Sequence, residues 1–180
     1  MNEASHSSPR IHAFCDDVLG RHDAVGLAAL VRRKEVSAAE LVQAAIARAA
    51  RVQQLNAVEV QCYSSPRSDS LADTAGGSFS GVPTFVKDNV DLAGLPTRHG
   101  SLALPSKPAR RDDPMVQHLL AQGLVVLGKT RLPEFGFSPS TEFESAEPVR
   151  NPWNLAYSSG GSSGGAAALV AAVAFDHCEG

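Results

Sequence analysis

Two short stretches of this sequence carry residue types that could do chemistry. In the first, Gly81-Val-Pro-Thr-Phe-Val-Lys87, an apolar run stops at a lysine. A lysine in that place is ordinarily a snorkelling or edge residue. Buried, it changes character: desolvation lowers its pKa by up to several units and leaves a neutral amine able to act as a general base near neutral pH. In the second stretch, Ser158-Ser-Gly-Gly-Ser-Ser-Gly-Gly165 runs straight into Ala166-Ala-Ala-Leu-Val-Ala-Ala172. Its glycines let another group approach closely, and Ser162 and Ser163 put two hydroxyls at the start of a helix, where free N–H groups favour negative charge. Composition alone suits a flexible Gly/Ser linker equally well. The alanine-rich continuation reads instead as a buried helix, which linkers seldom feed.

Other chemistries find less support. Gly160-Gly-Ser-Ser-Gly164 fits the G-x-S-x-G nucleophile elbow, but an elbow needs an apolar strand before it and a distant Asp and His after it. Asn151 to Tyr157 does not read as such a strand, and Asp176 and His177 are adjacent. No GxxxxGK[ST] loop occurs, and the six histidines show no metal-ligand spacing, so neither a P-loop nor a metal site is expected. Cys15, Cys62 and Cys178 form no CxxC, which points to a reducing compartment and a cytoplasmic protein. A net charge of −3 leaves no footprint for nucleic acid or an anionic membrane. The longest apolar run, Ala166 to Phe175, is about half of a bilayer span.

The elements that must position these residues follow from periodicity. Val25, Ala28, Ala29 and Arg32 recur at helical spacing, and Ser37-Ala-Ala-Glu40 fits a capping box opening a second helix. On that helix Leu41, Ala45, Ala49 and Val52 form the core stripe, with Gln43, Arg48 and Arg51 outside it. Val58, Val60 and Cys62 alternate with polar residues as in a half-exposed strand. Ser64 to Ser80 reads as a surface loop. Asp113-Pro114 starts a helix through Leu120 that Gly123 stops, and Leu124 to Gly128 reads as a strand. Phe135 to Tyr157 reads as a long irregular loop. Helices alternating with strands predict an α/β layered domain.

In order along the chain, three segments resemble the amidase signature family. They are Gly81 to Ser101, Gly128-Lys-Thr-Arg-Leu-Pro-Glu-Phe-Gly136, and Asn151-Pro-Trp-Asn154 through Ala172. The weaker likeness of the N-terminal helices extends the pattern over residues 23–172. The resemblance implies an α/β fold, the N-terminal portion of a domain with a mixed β-sheet covered by helices. Residues 1–22 are then an irregular segment and residues 173–180 a tail outside the family. It further implies hydrolysis of a small-molecule carboxamide to carboxylate and ammonia or amine by a Ser–Ser–Lys triad, without metal or cofactor; a homo-oligomer stays open.

By that resemblance Lys87 is the buried neutral base. Ser162 is the bridging serine, following a cis peptide bond, that passes a proton between Lys87 and a nucleophile. Gly160 and Gly161 support it, and Ser163 either hydrogen-bonds near Lys87 or only caps the helix. Ser140 and Thr141 fall where the family lines its acyl pocket, though a surface loop would look the same.

The sequence departs from the family at the nucleophile. The resemblance calls for a further serine in a glycine-rich turn that also forms the oxyanion hole. No Ser or Thr follows Ser163. The expectation is therefore a truncated amidase-family chain that is inactive by itself, with a pseudoenzyme or interaction module as the alternative. A protein like the amidase component of a glutamine amidotransferase is a lesser one, because Phe143 stands where that branch usually has Asn.

Overall fold

The computed structural model describes residues 10–68 and 77–174. The serine- and aspartate-rich part of the 64–80 loop and the last six residues, including Cys178, Asp176 and His177, lie outside them.

Helix α1 (Ala24–Arg32) starts at Asp23, whose carboxylate accepts from the Gly26 N–H. Helix α2 (Ala38–Arg51) carries the expected capping box: Glu40 N–H donates to Ser37 Oγ at 3.2 Å, and Ser37 N–H donates to Glu40 Oε2 at 2.9 Å. Strands β1 (Val58–Gln61) and β2 (Pro83–Lys87), helix α3 (Pro114–Ala121) and strand β3 (Val125–Thr130) follow. Asp113 caps α3 through the Met115 N–H, with Pro114 in its first turn, where a missing N–H costs nothing.

The three strands make one mixed sheet in the order β1-β3-β2, β1 antiparallel and β2 parallel to β3. Strand β3 is buried along its whole length, as a central strand covered on both faces must be. Val125 and Leu127 pack with Leu27, Val31, Leu41 and Val42 of α1 and α2, while Val126 packs with Val86, Leu92, Val116 and Leu120 beneath α3.

A third cluster joins Ala13, Val52, Leu55, Ala57 and Val149 to Ala168, Leu169 and Ala172. The last three come from α4 (Gly164–Leu169) and the π-turn Val170–Ala174 that continues it. This is a mixed α/β fragment with a small sheet covered by helices, as expected.

Three details differ from the periodicity reading. Helix α1 buries Leu27, Ala28, Leu30 and Val31, and leaves Val25 61% exposed. Its apolar face is broad, and contact with α2 and the sheet selects the side on which the leucines lie. On α2 the stripe Leu41, Ala45, Ala49 and Val52 is buried, but so is Arg48, at 1% exposure. Its guanidinium pairs with Asp17 at 2.6 Å and donates to the carbonyls of Val173, Cys15 and Gly20. An arginine can sit inside because every buried donor finds an oxygen, and that oxygen comes from distant chain.

The segment 135–157 is not wholly irregular. It contains the antiparallel pair β4 (Arg150–Asn151) and β5 (Asn154–Ser158). Its strands are two and five residues long, and only Leu155 among their residues packs, in part, against the third cluster, so there is no apolar alternation to read. It also changes the case against the nucleophile elbow: a strand does precede Gly160, but it is a partly exposed hairpin strand outside the main sheet.

Candidate active site

Lys87 is the last residue of β2, in register with Thr130 at the end of the parallel strand β3. The carboxyl ends of adjacent parallel strands are where open α/β sheets leave a crevice. The Ser158–Gly165 loop enters this crevice because α4 approaches the chain closely. Gly165 N–H donates to Arg131 O at 3.2 Å, and a Cβ on Gly165 would lie 2.5 Å from Ala57 O and 2.7 Å from Arg131 N. Only glycine permits that approach.

The Lys87 ammonium is thereby set between two hydroxyls, donating to Ser162 Oγ at 2.8 Å and to Ser163 Oγ at 3.0 Å. The Gly161–Ser162 peptide bond is cis. Ser163 occupies the residue before α4 but makes no side-chain capping bond, and its hydroxyl faces Lys87 instead. Among the described residues no carboxylate forms an ion pair with Lys87. Lys87 is partly buried rather than enclosed as the resemblance implied, and this partial desolvation holds its pKa below that of an ordinary lysine.

Gly160 and Gly161 shape the loop against the segment 138–141. Gly160 takes φ +80, and Gly161 sits so close to Ser138 O and Pro139 C that a Cβ would come within 3.1 and 3.2 Å of them. Thr141 is fully buried, and both its N–H, at 3.0 Å, and its hydroxyl, at 2.7 Å, donate to Gly160 O. Ser140 Oγ donates to Ser158 Oγ at 3.0 Å. Both residues tie the 138–141 segment to the glycine loop. Gly136, at φ +72, passes the same spot, a Cβ there lying 3.8 Å from Ser162 Oγ.

Next to Lys87 in the chain stands a pair that motif reading does not single out. Asp88 and Lys129 are both buried, 0% exposed, and their charged groups are 2.6 Å apart. Lys129 also donates to Pro96 O at 2.8 Å and Thr97 Oγ1 at 2.6 Å, and Asp88 accepts from the Arg98 N–H at 3.1 Å. In sequence Lys129 is a lysine at the end of the apolar run Val125-Val-Leu-Gly-Lys-Thr130, which does not by itself say that it is buried. An apolar groove lined by Leu27, Phe85, Leu127, Leu169 and Val173 lies elsewhere and includes neither Lys87 nor the two serines. Among the described residues no group of three metal-ligating side chains occurs, and no helix is long and apolar enough to cross a membrane.

The site is thus a parallel-strand end carrying a lysine amine against two serine hydroxyls of a glycine loop, and comparison with known proteins gives the class of protein that holds it. Residues 40–177 match the family model described as Amidase, and the chain belongs to the amidase signature family. It is 49% identical over 165 residues to the protein named "Putative amidase AmiC" of Mycobacterium tuberculosis (strain ATCC 25618 / H37Rv), covering 91% of this chain and 35% of that one. It is 40% identical over 154 residues to 6-aminohexanoate-cyclic-dimer hydrolase of Paenarthrobacter ureafaciens, covering 83% of this chain and 31% of that one. The solved structure of a 6-aminohexanoate cyclic dimer hydrolase superimposes with a TM-score of 0.76 at 39% identity, over 86% of this chain and 32% of the other. The chain thus spans about a third of the length of the relatives it matches.

Proposed function

We propose that Lys87 and Ser162 are the base and the proton relay of a site that hydrolyses a small-molecule carboxamide to carboxylate and ammonia or an amine. One observation carries this reading: Lys87 Nζ reaches Ser162 Oγ at 2.8 Å with no carboxylate paired to it among the described residues. A desolvated, unpaired lysine loses its proton more readily, and a neutral amine offers a lone pair. The contact to Ser162 then reverses, the serine O–H donating to nitrogen. Ser162 can in turn take a proton from a serine nucleophile as it attacks the carbonyl carbon. The same relay returns that proton to the nitrogen as the C–N bond breaks and the acyl-enzyme forms, and water then attacks the acyl carbon to release the carboxylate. Ser163 holds the amine in line, and Gly160 and Gly161 let the loop lie against residues 138–141. Ser140 and Thr141, behind that loop, shape the acyl side through the segment they anchor.

The sequence after Ser163 contains no Ser or Thr to act as nucleophile. We infer that the 180-residue chain alone turns over no amide and in that state is a silent module. The scattered cysteines support a cytoplasmic setting.

The test is a chimera in which residues 10–174 replace the matching segment of the 6-aminohexanoate-cyclic-dimer hydrolase relative. Ammonia or amine release is then measured from a panel of linear and cyclic amides, beside the 180-residue chain alone. Hydrolysis by the chimera, lost by about 100-fold or more in Lys87→Ala and in Ser162→Ala, supports the reading. Undiminished turnover in Lys87→Ala removes it.

A further inference from the structure

We propose that Lys129 is a positioning residue for Lys87: by binding the Asp88 carboxylate on the far side of β2, it keeps the anion nearest to Lys87 in the chain from pairing with the Lys87 amine.

The geometry begins with the register of β2 and β3. Thr84 is opposite Val126 and Val86 is opposite Lys129, so two steps along β2 match three along β3. A bulge of one residue turns every later side chain to the opposite face. It falls beside Gly128, where a Cβ would collide with Val60 O. Without it Lys129 would share the face of Val125 and Leu127, under α1 and α2. With it Lys129 shares the face of Val86 and Asp88 and meets the Asp88 carboxylate at 2.6 Å.

Lys87 points the other way, to Ser162 and Ser163. The backbone on either side of it is held by the same pair. Asp88 N–H donates to Thr130 O at 3.0 Å, His99 N–H donates to Asp88 O at 3.1 Å, and Lys129 pins Pro96 and Thr97. The end of β2, and with it Lys87, is fixed from behind.

The charges around the two lysines divide cleanly. Asp88, Asp91 and Glu59 act on Lys129, and Lys129 nevertheless titrates below an ordinary lysine because burial outweighs them. Around Lys87, Ser162 and Ser163 are neutral, and so is Thr130 in register on β3. Arg131 is occupied by Glu59 at 2.9 Å, and Glu134, on the segment that passes Ser162, accepts from Ser101 Oγ at 2.5 Å. Asp88 is the nearest anion along the chain, and Lys129 claims it. Were Lys129 neutral, the uncompensated carboxylate would favour the charged form of Lys87 and weaken it as a base.

What this means for catalysis rests on the amide-hydrolase reading above, but its test does not. The purified 180-residue chain is acetylated with limiting acetic anhydride across pH 7–11, and the midpoint for Lys87 is read by peptide mass spectrometry. Lys34 and Lys107, both exposed, serve as internal references.

In the wild type Lys87 should titrate below both references. Lys129→Met should raise its midpoint by roughly one pH unit. Adding Asp88→Asn to Lys129→Met should return it to the wild-type value, and Lys129→Arg should leave it in place. An unchanged midpoint in Lys129→Met, or a double variant as high as the single, overturns the proposal. If Lys129→Met does not fold, as judged by circular dichroism, Asp88→Asn decides: a midpoint at or below wild type supports the proposal and a rise overturns it. A wild-type Lys87 that titrates with Lys34 overturns it without any variant. A low, Lys129-dependent midpoint combined with a chimera that ignores Lys87→Ala would sink the hydrolase reading and leave this one standing.

Discussion

Lys87 Nζ lies 2.8 Å from Ser162 Oγ, although the two residues are 75 positions apart and belong to elements that do not pair. Strand β2 delivers the amine, and the glycine loop before α4 delivers the hydroxyl. The contact exists only while Gly165 keeps α4 close to the chain just past β3. The expectations below follow from that arrangement and from the groups that hold it.

The state of Lys87 should show in stability. Its folded pKa is depressed by burial, so between that value and 10.5 the unfolded chain binds the proton and the folded chain does not. Stability contributed through this group therefore rises with pH across that window. The urea midpoint of the wild type should climb relative to Lys87→Met as pH approaches 10.5; a constant difference would show that the amine is not desolvated. Lys129 is common to both chains and cancels.

Gly165→Ala tests the approach of α4. The new Cβ would meet Ala57 O, Arg131 N and Arg131 O, all backbone and all within 2.8 Å. Overpacking against backbone should cost about 3 kcal/mol in urea denaturation. It should also raise the exchange rate of the Arg131 and Gly165 amides, which a loss confined to α4 would not do for Arg131.

Arg48 and Asp17 hold the N-terminal segment to α2 and the π-turn. Burial pushes the Asp17 carboxyl up, but hydrogen bonds from Arg48 and Cys15 and the charge of Arg48 outweigh it, so its pKa is lowered from 3.8. A depressed carboxyl stabilises the fold above 3.8, and the contribution vanishes as pH falls through the folded value. The stability gap between wild type and Asp17→Asn should be full at pH 6 and close below pH 3.8. Arg48→Met should cost about 3 kcal/mol at pH 7, because Asp17 and three carbonyls lose their partner.

The two helix-starting serines should behave differently. Ser37→Ala removes a capping box and should cost about 1 kcal/mol. Ser163→Ala removes no cap and should cost less in thermal unfolding, while shifting the acetylation midpoint of Lys87. Equal stability losses with an unmoved midpoint would make Ser163 a cap like Ser37.

The sequence by itself determined the elements whose cause is local. The capping box at Ser37 and Glu40, the Asp113-Pro114 start of α3 and the stripe Leu41, Ala45, Ala49 and Val52 are decided by residues within a few positions of one another. The resemblance named Lys87, Ser162 and Ser163 from motif order, and its expected cis peptide bond before Ser162 is present. The hairpin of β4 and β5 left no trace, because a short pair that sends only Leu155 toward the core shows no apolar alternation. Burial of Arg48 and Lys129 was illegible for another reason: a charged side chain is tolerated inside only where distant chain supplies its oxygens. For Arg48 these come from Asp17 and Val173, and for Lys129 from Asp88 and Pro96. The side of the sheet on which Lys129 lies was decided last, by a bulge at Gly128. One extra residue in a strand reverses every face after it, and only pairing with the neighbouring strand can show that the residue is extra.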